Sequence, residues 1–429
     1  MNLSSYITVI ASLLTALSAW GAEPTVEMRQ MASNYYAYPY PEQPLPKLTE
    51  APQGYAPFHI EHYGRHGSRW HIGKDIYKRP VELLTGAERD GKLTPRGQEL
   101  LDDLRRIEIA SRGRDGELTP LGAEQHRGIA QRMYRNFPQV FAGDARVDAR
   151  STVVIRCILS MDNELQELYA ANPKLRITSD ASYADMDYMN HHDTIMSKIT
   201  WPVRNRLASY ADSVYGNRGD YLKMIINDEK YAKDSINSGS LFWHLYIINA
   251  NAQSHKEKGF YDIFSDKEIR DQWIIHNGNW YLSYGNSPLT QGAGQHIQRN
   301  LLRNIIESAD TAISYGKPGA NLRFGHETCV MPLTVLMELD HYGKDIDNVE
   351  DIAREWKDYE IFPMASNVQM IFYAPESTAP TPDNVLIKVL LNEQERHLPV
   401  TTDNFPYYKW NDVKAYYMAK LAKKEPEVL

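Results

Sequence analysis

Short segments with strand-like or helix-like spacing of apolar residues alternate along both ends of the chain. Residues 55–62 alternate between apolar and polar side chains, which predicts a strand, and residues 153–171 repeat apolar positions at helical spacing, which predicts a helix. By the same criteria we predict strands within 140–149 and at 321–325, 368–373 and 384–391, and helices at 80–90, 94–112, 119–137, 328–339 and 410–422. The proline- and tyrosine-rich residues 23–54 are predicted to form an irregular arm.

The middle of the chain, residues 172–318, has a different composition. It is rich in tyrosine, tryptophan, asparagine and aspartate, and Ser265 and Glu268 form a capping-box pattern at the start of one of its short predicted helices. Strands alternating with helices on both sides of this region predict an α/β fold. In such a fold helices flank a mostly parallel sheet, and here a large, mostly helical domain is inserted. We expect residues 23–171 and 319–429 to form the sheet domain and residues 172–318 the insertion.

Composition restricts the kind of partner that the chain can have. Among its 429 residues 24% are charged, the net charge is −8, and no block of lysine and arginine is present, which argues against nucleic-acid binding. We expect residues 1–22 to be an export signal cleaved after Gly21 or Ala22, with a membrane-tethered signal anchor as the alternative. No later segment is apolar over the length that a bilayer requires. We therefore expect a periplasmic or secreted monomer without membrane contact after cleavage.

A cluster of functional side chains follows directly after the first predicted strand. Residues 65–69 read Arg-His-Gly-Ser-Arg, so two arginines flank His66 within one glycine-containing turn. Arginine offers a planar fork of donors that matches phosphate oxygens, and neighbouring positive charge favours the neutral, nucleophilic imidazole. The pentapeptide alone is consistent with a nucleophile in a phosphate-binding loop or with a solvated basic turn.

Two later junctions between a predicted strand and a predicted helix carry matching chemistry. Arg150 and Arg156 bracket the end of the second strand and the start of its helix, and His326 and Glu327 stand at the junction that follows the insertion. Because the carboxyl ends of parallel strands lie at one edge of a sheet, we expect these groups to converge with the first cluster. Arginines, histidines and a carboxylate together suit a dianionic phosphoryl group, a nucleophile and an acid.

Together these segments resemble the histidine acid phosphatase branch of the histidine phosphatase superfamily, and within it the bacterial multiple inositol polyphosphate phosphatases and phytase-like enzymes. The matching segments, in family order, are 65–69, 118–126, 150–156 and 324–328. The resemblance implies a phosphatase that forms a phosphohistidine and needs no metal or other cofactor. It implies that His66 is the nucleophile, that Glu327 donates a proton to the leaving group, and that Arg65, Arg69, Arg156 and His326 bind the phosphoryl oxygens.

Two positions depart from the family pattern. His71 stands where a proline commonly follows the first motif. Glu327 follows His326 directly, where other members have either aspartate or alanine and then glutamate. The carboxyl group of Glu327 reaches about one methylene further than that of an aspartate, so the resemblance does not fix where the leaving group lies.

The implied partner is a small phosphomonoester substrate. We expect inositol polyphosphates such as phytate, with a broad-specificity acid phosphatase as the alternative. His71, Lys74, Lys78 and Arg79 could form a basic rim for a polyphosphorylated ligand or simply a solvated basic helix. A phosphate- or sugar-phosphate-binding protein without turnover is the alternative from another class, although binding alone needs no nucleophile and no acid.

Two other sets of side chains have more than one interpretation. His191, His192 and Asp193 lie in the insertion and could reach over the site or bind a metal, but the sequence offers no further ligand at a recognisable spacing. Cys157 and Cys329 each follow closely on a candidate site residue. They could form one disulfide between neighbouring helix starts or remain two buried thiols.

Overall fold

The structure is a computed structural model that describes residues 24–41, 43–216, 219–423 and 426. The expected export signal, residues 1–22, lies outside the described residues. Within the described ranges no helix has the length and apolar character needed to cross a membrane.

The described residues form one eight-stranded sheet and a series of helices around it. The strands are β1 (Tyr55–Arg65), β2 (Arg146–Ser151), β3 (Arg176–Asp180), β4 (Gly319–Gly325), β5 (Asn367–Pro375), β6 (Leu386–Leu391), β7 (Gln394–Arg396) and β8 (Tyr408–Lys409). The helices are α1 (Val26–Gln30), α2 (Asp75–Arg89), α3 (Pro95–Ser111), α4 (Pro120–Asn136), α5 (Ile155–Ala171), α6 (Met186–Met189), α7 (Thr194–Tyr215), α8 (Asp220–Ile225), α9 (Glu229–Ser235), α10 (Ser238–Asn251), α11 (Asp266–Tyr284), α12 (Ala293–His296), α13 (Arg299–Tyr315), α14 (Glu327–Leu336), α15 (Ile352–Glu355), α16 (Asp358–Ile361) and α17 (Trp410–Leu421).

The sheet brings the three predicted junctions to one edge. Its order is β3-β2-β4-β1-β5-β6-β7, with β8 on β6. Strands β3, β2, β4 and β1 are parallel, and the remaining pairings are antiparallel. Arg65 at the end of β1 pairs with Gly325 at the end of β4, and Ser151 at the end of β2 pairs with Phe324. The predicted α/β fold and the convergence of the three junctions are both confirmed.

Successive side chains of the central strands point to opposite faces of the sheet, and helices cover both faces. Met370 and Phe372 of β5 join an apolar cluster with α13, α14 and α17, whereas Ile371 and Tyr373 join a second cluster with α4 and α5. This period of two is what a strand buried on both faces requires. The sheet edge that carries the three junctions is therefore held between two packed layers.

Contacts of the helical region cross the predicted domain boundaries at residues 172 and 318. Strand β3 lies within 172–318 yet extends the sheet, and α13 contacts β1. Conversely, α2 and α3 pack with α8, α10 and α11 around a separate apolar cluster that includes Tyr77, Leu101 and Phe242. We call these five helices the cap helices. Glu268 and Ser265 form the predicted capping box at the start of α11.

Candidate active site

The loop that follows β1 is fixed between the sheet edge and helix α4. His66 N donates a hydrogen bond to Gly325 O over 2.9 Å, which ties the loop to β4. A Cβ atom on Gly67 would stand 2.4 Å from the carbonyl oxygen of Gly122 in α4. Only glycine permits so close an approach of two backbones, so the glycine of the first motif sets the position of the loop.

His66 keeps one ring nitrogen free. The side chain is fully buried, and Nδ1 lies 2.9 Å from the carbonyl oxygen of Gly67. Because a carbonyl only accepts, Nδ1 carries the proton and Nε2 keeps its lone pair, and Nε2 makes no hydrogen bond to any described residue. Burial, together with Arg156 and Arg65 and against the effect of Glu327, holds the pKa of His66 well below its ordinary value. The ring therefore remains a neutral nucleophile in mildly acidic solution.

Arg65 is oriented by two backbone carbonyls. Its Nη1 donates to Phe362 O over 2.7 Å and its Nη2 to Asn34 O over 2.8 Å, and the side chain is fully buried. The remaining nitrogen, Nε, lies 3.2 Å from Glu327 Oε2. Burial lowers the pKa of Arg65 to about 10 while Glu327 opposes the change, so the guanidinium stays charged. Its Nε edge thus faces the same space as the free nitrogen of His66.

Arg69 and Arg156 add two further donors. Arg69 is 2% exposed, donates to Trp70 O over 3.0 Å, and stacks its guanidinium over the ring of Tyr35 at 5.5 Å. Arg156 stands in the first turn of α5. The buried Nε of each arginine has no hydrogen-bond partner among the described residues. Buried donors without partners are rare, and these two are available to anion oxygens.

Arg150, the other arginine of the second junction, is engaged elsewhere. Its Nε lies 3.1 Å from Asp148 Oδ1 and its Nη1 lies 3.5 Å from Asp180 Oδ2. These ion pairs join β2 to the end of β3. They support the choice of Arg156 over Arg150 as the phosphate-binding residue.

His326 directly follows β4, precedes the first residue of α14 and lies beside His66. The two ring centroids are 5.8 Å apart with planes at 74°, and His326 Nε2 lies 3.2 Å from Thr152 Oγ1. The side chain is 8% exposed. Burial lowers the pKa of His326 to about 4, with Arg156 and Arg65 adding to the effect and Glu327 opposing it. The ring is therefore neutral above about pH 4, and it can offer an anion a hydrogen bond rather than a charge.

Glu327, the first residue of α14, lies between the candidate nucleophile and Arg65. Its Oε2 is 3.6 Å from His66 Nε2 and 3.2 Å from Arg65 Nε, and makes no hydrogen bond within the described chain. Burial opposes ionisation, but the charge of Arg65, with that of Arg69 adding to it, outweighs burial and holds the pKa of Glu327 well below its usual range. The unliganded site therefore contains an ionised carboxylate next to the groups predicted to handle phosphate.

The same side chains approach the geometry of metal ligands. His66, His326 and Glu327 each offer an atom, and these atoms all lie within 4.8 Å of one another. The charges of Arg65 and Arg69 act on this cluster, and they raise the cost of placing a cation there while favouring an anion. The absence of a metal requirement stays a prediction.

His71 does not lie on an exposed rim. It is 1% exposed, its Nε2 donates to Ile247 O in α10 over 2.9 Å, and its ring contacts the edges of Tyr35 and Tyr77. Burial lowers the pKa of His71 to about 3, and Arg69 adds to this. The predicted charged rim is therefore wrong at this position, because the cap helices enclose a side chain that the local sequence leaves open.

The other basic residues after the first motif lie at the surface. Lys74 is exposed just before α2 and lines an open depression with Trp243 and His244 of α10. Lys78 pairs with Glu82 on its own helix at 3.0 Å, and Arg79 with Asp75 at 3.4 Å. Lys78 thus fits the solvated helix, whereas Lys74 and Arg79 both line the depression and keep the geometry of outer contacts.

The triplet 191–193 has a local structural role. Asp193 caps the start of α7 by accepting from the backbone of Ile195 and Met196, and it also pairs with Arg299 Nη1 at 2.6 Å. His191 Nδ1 lies 3.3 Å from Asp187 Oδ1. These contacts account for the carboxylate and one histidine without a metal.

The two cysteines are separate thiols. Cys157 and Cys329 are both fully buried and free. Burial raises the pKa of each thiol to about 12, so neither is a nucleophile at ordinary pH. The expectation of two buried thiols is confirmed, and the disulfide alternative is wrong.

Several supporting residues were not identified from the sequence. Tyr63 OH donates to Met189 O and accepts from His326 N, and Ser160 Oγ accepts from Gly67 N over 3.1 Å. The carbonyls that orient Arg65 come from far along the chain, and a backbone carbonyl leaves no signal in a sequence. Some supporting side chains do stand inside family-like segments that could have indicated them: Thr152 lies in 150–156, and Gln125, whose Oε1 accepts from Ser68 N, lies in 118–126.

Comparison with known proteins identifies the family. The family model described as "Histidine phosphatase superfamily (branch 2)" matches residues 111–392, a range that includes Arg156, His326 and Glu327 and begins after His66. A comparison of the sequence with curated proteins gives no match. The fold is similar to that of the multiple inositol polyphosphate phosphatase of Bifidobacterium longum in complex with phosphate, at 19% identity and a TM-score of 0.73, covering 91% of this chain and 98% of that one.

Two phytases show the same fold at greater distance. The phytase from D. castellii is 14% identical, with a TM-score of 0.68 over 95% of this chain and 90% of that chain. The Hafnia alvei phytase in complex with tartrate is 13% identical, with a TM-score of 0.53 over 86% of this chain and 98% of that chain. Since the family model covers well over half of the residues, the chain belongs to the histidine phosphatase superfamily, branch 2, and is a phosphatase.

Proposed function

We propose that the protein hydrolyses phosphomonoesters through a phosphohistidine at His66. The observation that carries this proposal is the buried Nε2 of His66, which holds a free lone pair beside the donors of Arg65, Arg69 and Arg156. A site that only binds phosphate needs donors but no unprotonated ring nitrogen among them. A binding protein without turnover therefore fits the chain less well than an enzyme does.

The reaction proceeds in two displacements. In the first, His66 Nε2 attacks phosphorus in line, the P–O ester bond breaks, and the leaving oxygen takes a proton from Glu327. In the second, the Glu327 carboxylate takes a proton from water as the water oxygen attacks the phosphohistidine, which releases inorganic phosphate and restores His66. The arginines and His326 bind the three non-bridging oxygens throughout and stabilise the charge spread over them.

Substrate binding allows Glu327 to take up from solvent the proton that it must carry. In the unliganded site the charges of Arg65 and Arg69 keep this carboxylate ionised. A phosphate dianion at the same groups replaces the carboxylate as their partner and repels its charge, which raises the pKa of Glu327. Glu327 therefore turns away from Arg65 and gains a proton as the substrate binds, and no separate acid is required.

Inositol polyphosphates are the proposed substrate class. The three arginines would surround the phosphoryl group, and exposed Lys74, which comes five residues after Arg69 and just before α2, would contact a further phosphate of a polyphosphorylated ligand. The related fold of the B. longum enzyme was also determined in complex with inositol hexasulfate. A broad-specificity acid phosphatase is the alternative within the same reaction class.

A substrate panel separates these two candidates. We expect kcat/KM for phytate to exceed that for glucose 6-phosphate by about 10-fold or more, since each additional charge-assisted contact contributes about 1.5 kcal/mol or more. A Lys74→Met variant should lose part of this preference, whereas Lys78→Met on the solvated face of α2 should not. Equal kcat/KM values for phytate, glucose 6-phosphate and p-nitrophenyl phosphate would instead support the broad-specificity enzyme.

Export, domain organisation and oligomeric state complete the proposal. We propose that residues 1–22 direct export and are then removed, which sequencing of the N-terminus of the exported enzyme would test.

We also propose that residues 172–318, joined by α2 and α3, supply most of a substrate-selecting cap on the sheet domain. We propose further that the enzyme acts as a monomer. The packing of α2 and α3 against α8, α10 and α11 supports this division.

A further inference from the structure

The orientation of Arg65 depends on two distant segments of the chain. Asn34, whose carbonyl receives Nη2, lies 31 residues earlier, and Phe362, whose carbonyl receives Nη1, lies 297 residues later. Neither segment is a neighbour of β1 in sequence. A contact between the two segments is therefore needed to keep both acceptors in place at once.

Asp358 connects to the earlier segment through its side chain. Its Oδ2 accepts a hydrogen bond from the hydroxyl group of Ser33, the residue next to Asn34. Ser33 is fully buried and has a φ of 56°, a left-handed conformation that non-glycine residues rarely adopt. The hydrogen bond to Asp358 thus holds a turn that would otherwise relax, and this turn carries the Asn34 carbonyl.

Asp358 reaches the later segment through its backbone. It begins α16, and its carbonyl oxygen accepts from Phe362 N over 3.0 Å, which closes the turn ending at Phe362. On the other side, Asp358 N donates to Asn277 Oδ1 over 2.8 Å and its Oδ1 accepts from Trp273 Nε1 over 2.9 Å, so α11 anchors it. One residue therefore joins both acceptors of Arg65 to a cap helix.

The chemistry of Asp358 agrees with a role in orientation rather than packing. Its side chain is 0% exposed, and no lysine or arginine of the described chain forms an ion pair with it. Burial raises its pKa to about 6 although its hydrogen bonds oppose the shift. Because an apolar residue of similar size would be less costly to bury, the carboxyl group is explained by the hydrogen bonds it accepts.

We propose that Asp358 is a positioning residue for Arg65, holding the Asn34 and Phe362 carbonyls so that the guanidinium presents Nε to the phosphoryl group. This inference rests on the proposed function, in which Arg65 binds the phosphoryl oxygens. Asp358 itself touches neither substrate nor nucleophile. Its effect on catalysis passes through the orientation of one arginine.

A double-mutant cycle with Arg65 tests this proposal. Asp358→Asn and Ser33→Ala are each made in the wild type and in an Arg65→Ala background, and kcat/KM for p-nitrophenyl phosphate, Ki for inorganic phosphate and Tm are measured. In the wild type we expect each to lower kcat/KM about 10-fold and to raise Ki about 10-fold, since misplaced binding groups lose much of their effect. In the Arg65→Ala background we expect less than about a twofold further change, because both substitutions act through Arg65.

Trp273→Phe is the matched control. It removes one hydrogen bond to the same carboxylate but leaves the links to Ser33 and Phe362, so we expect a lower Tm with kcat/KM and Ki changed less than about twofold. Equal losses in both backgrounds, or a Trp273→Phe variant as impaired as Asp358→Asn, would show that Asp358 is only structural. If Asp358→Asn does not fold, the Ser33→Ala pair alone decides. Full activity of Arg65→Ala would instead refute the role of Arg65 in the proposed function.

Discussion

The His66→Ala variant is expected to lose at least about 10⁴-fold in kcat with phytate and with p-nitrophenyl phosphate, because removal of a covalent nucleophile leaves only binding and electrostatic stabilisation. The other neutral imidazole near these arginines, His326, has its Nε2 3.2 Å from Thr152 Oγ1, whereas the buried Nε2 of His66 has no hydrogen-bond partner among the described residues. The wild-type enzyme, denatured during turnover, should carry an acid-labile phosphoryl group on histidine. The variant should carry none, which mass spectrometry of the peptide containing residues 65–69 can establish.

The control for this experiment is a histidine at the far edge of the sheet. His397 follows β7, is exposed and stacks on Phe405, so His397→Ala should retain the wild-type kcat within about twofold. Inorganic phosphate should still bind to the His66→Ala protein, since the arginines remain. Undiminished turnover by His66→Ala, or a phosphoryl group found on another residue, would overturn the assignment of the nucleophile.

The sequence predicts those parts of the site whose position depends on residues close to them along the chain. Strands β1, β2 and β4 have recognisable apolar patterns, and in a parallel sheet their carboxyl ends necessarily meet. The motif 65–69 and the pair His326–Glu327 follow such ends directly. Their convergence therefore required no knowledge of long-range packing.

The parts that the sequence did not predict depend on distant contacts. Strand β3 is short and largely exposed, so it lacks an apolar signal and was assigned to the insertion. His71 follows a basic motif, but it is enclosed by the carbonyl of Ile247, 176 residues later in the chain, and by the ring of Tyr35. The partners of Arg65 are carbonyls of two remote loops. In each case the decisive neighbour is remote along the chain, and local pattern carries no information about it.

Replacement of Glu327 tests the second half of the mechanism and has the next largest expected effect. Glu327→Gln keeps the size of the side chain but can neither donate a proton as an acid nor accept one as a carboxylate. Proton transfer by a positioned group contributes about 10²–10⁴-fold, so kcat for phytate, with its poor alkoxide leaving group, should fall by that factor. The formation of phosphoenzyme from p-nitrophenyl phosphate should fall much less, because nitrophenolate departs without a proton.

The same variant should bind inorganic phosphate more tightly than the wild type. Glu327 Oε2 stands 3.2 Å from Arg65 Nε and 3.6 Å from His66 Nε2, so the ionised carboxylate occupies the space beside the nucleophile and competes with phosphate for Arg65. An amide competes less, and Ki for phosphate should fall several-fold even as kcat falls. Glu327→Asp, which keeps the charge, is the control and should not tighten phosphate binding in this way. An equal loss in the rate of phosphoenzyme formation from both esters, together with weaker phosphate binding, would mean that Glu327 shapes the site without donating the proton.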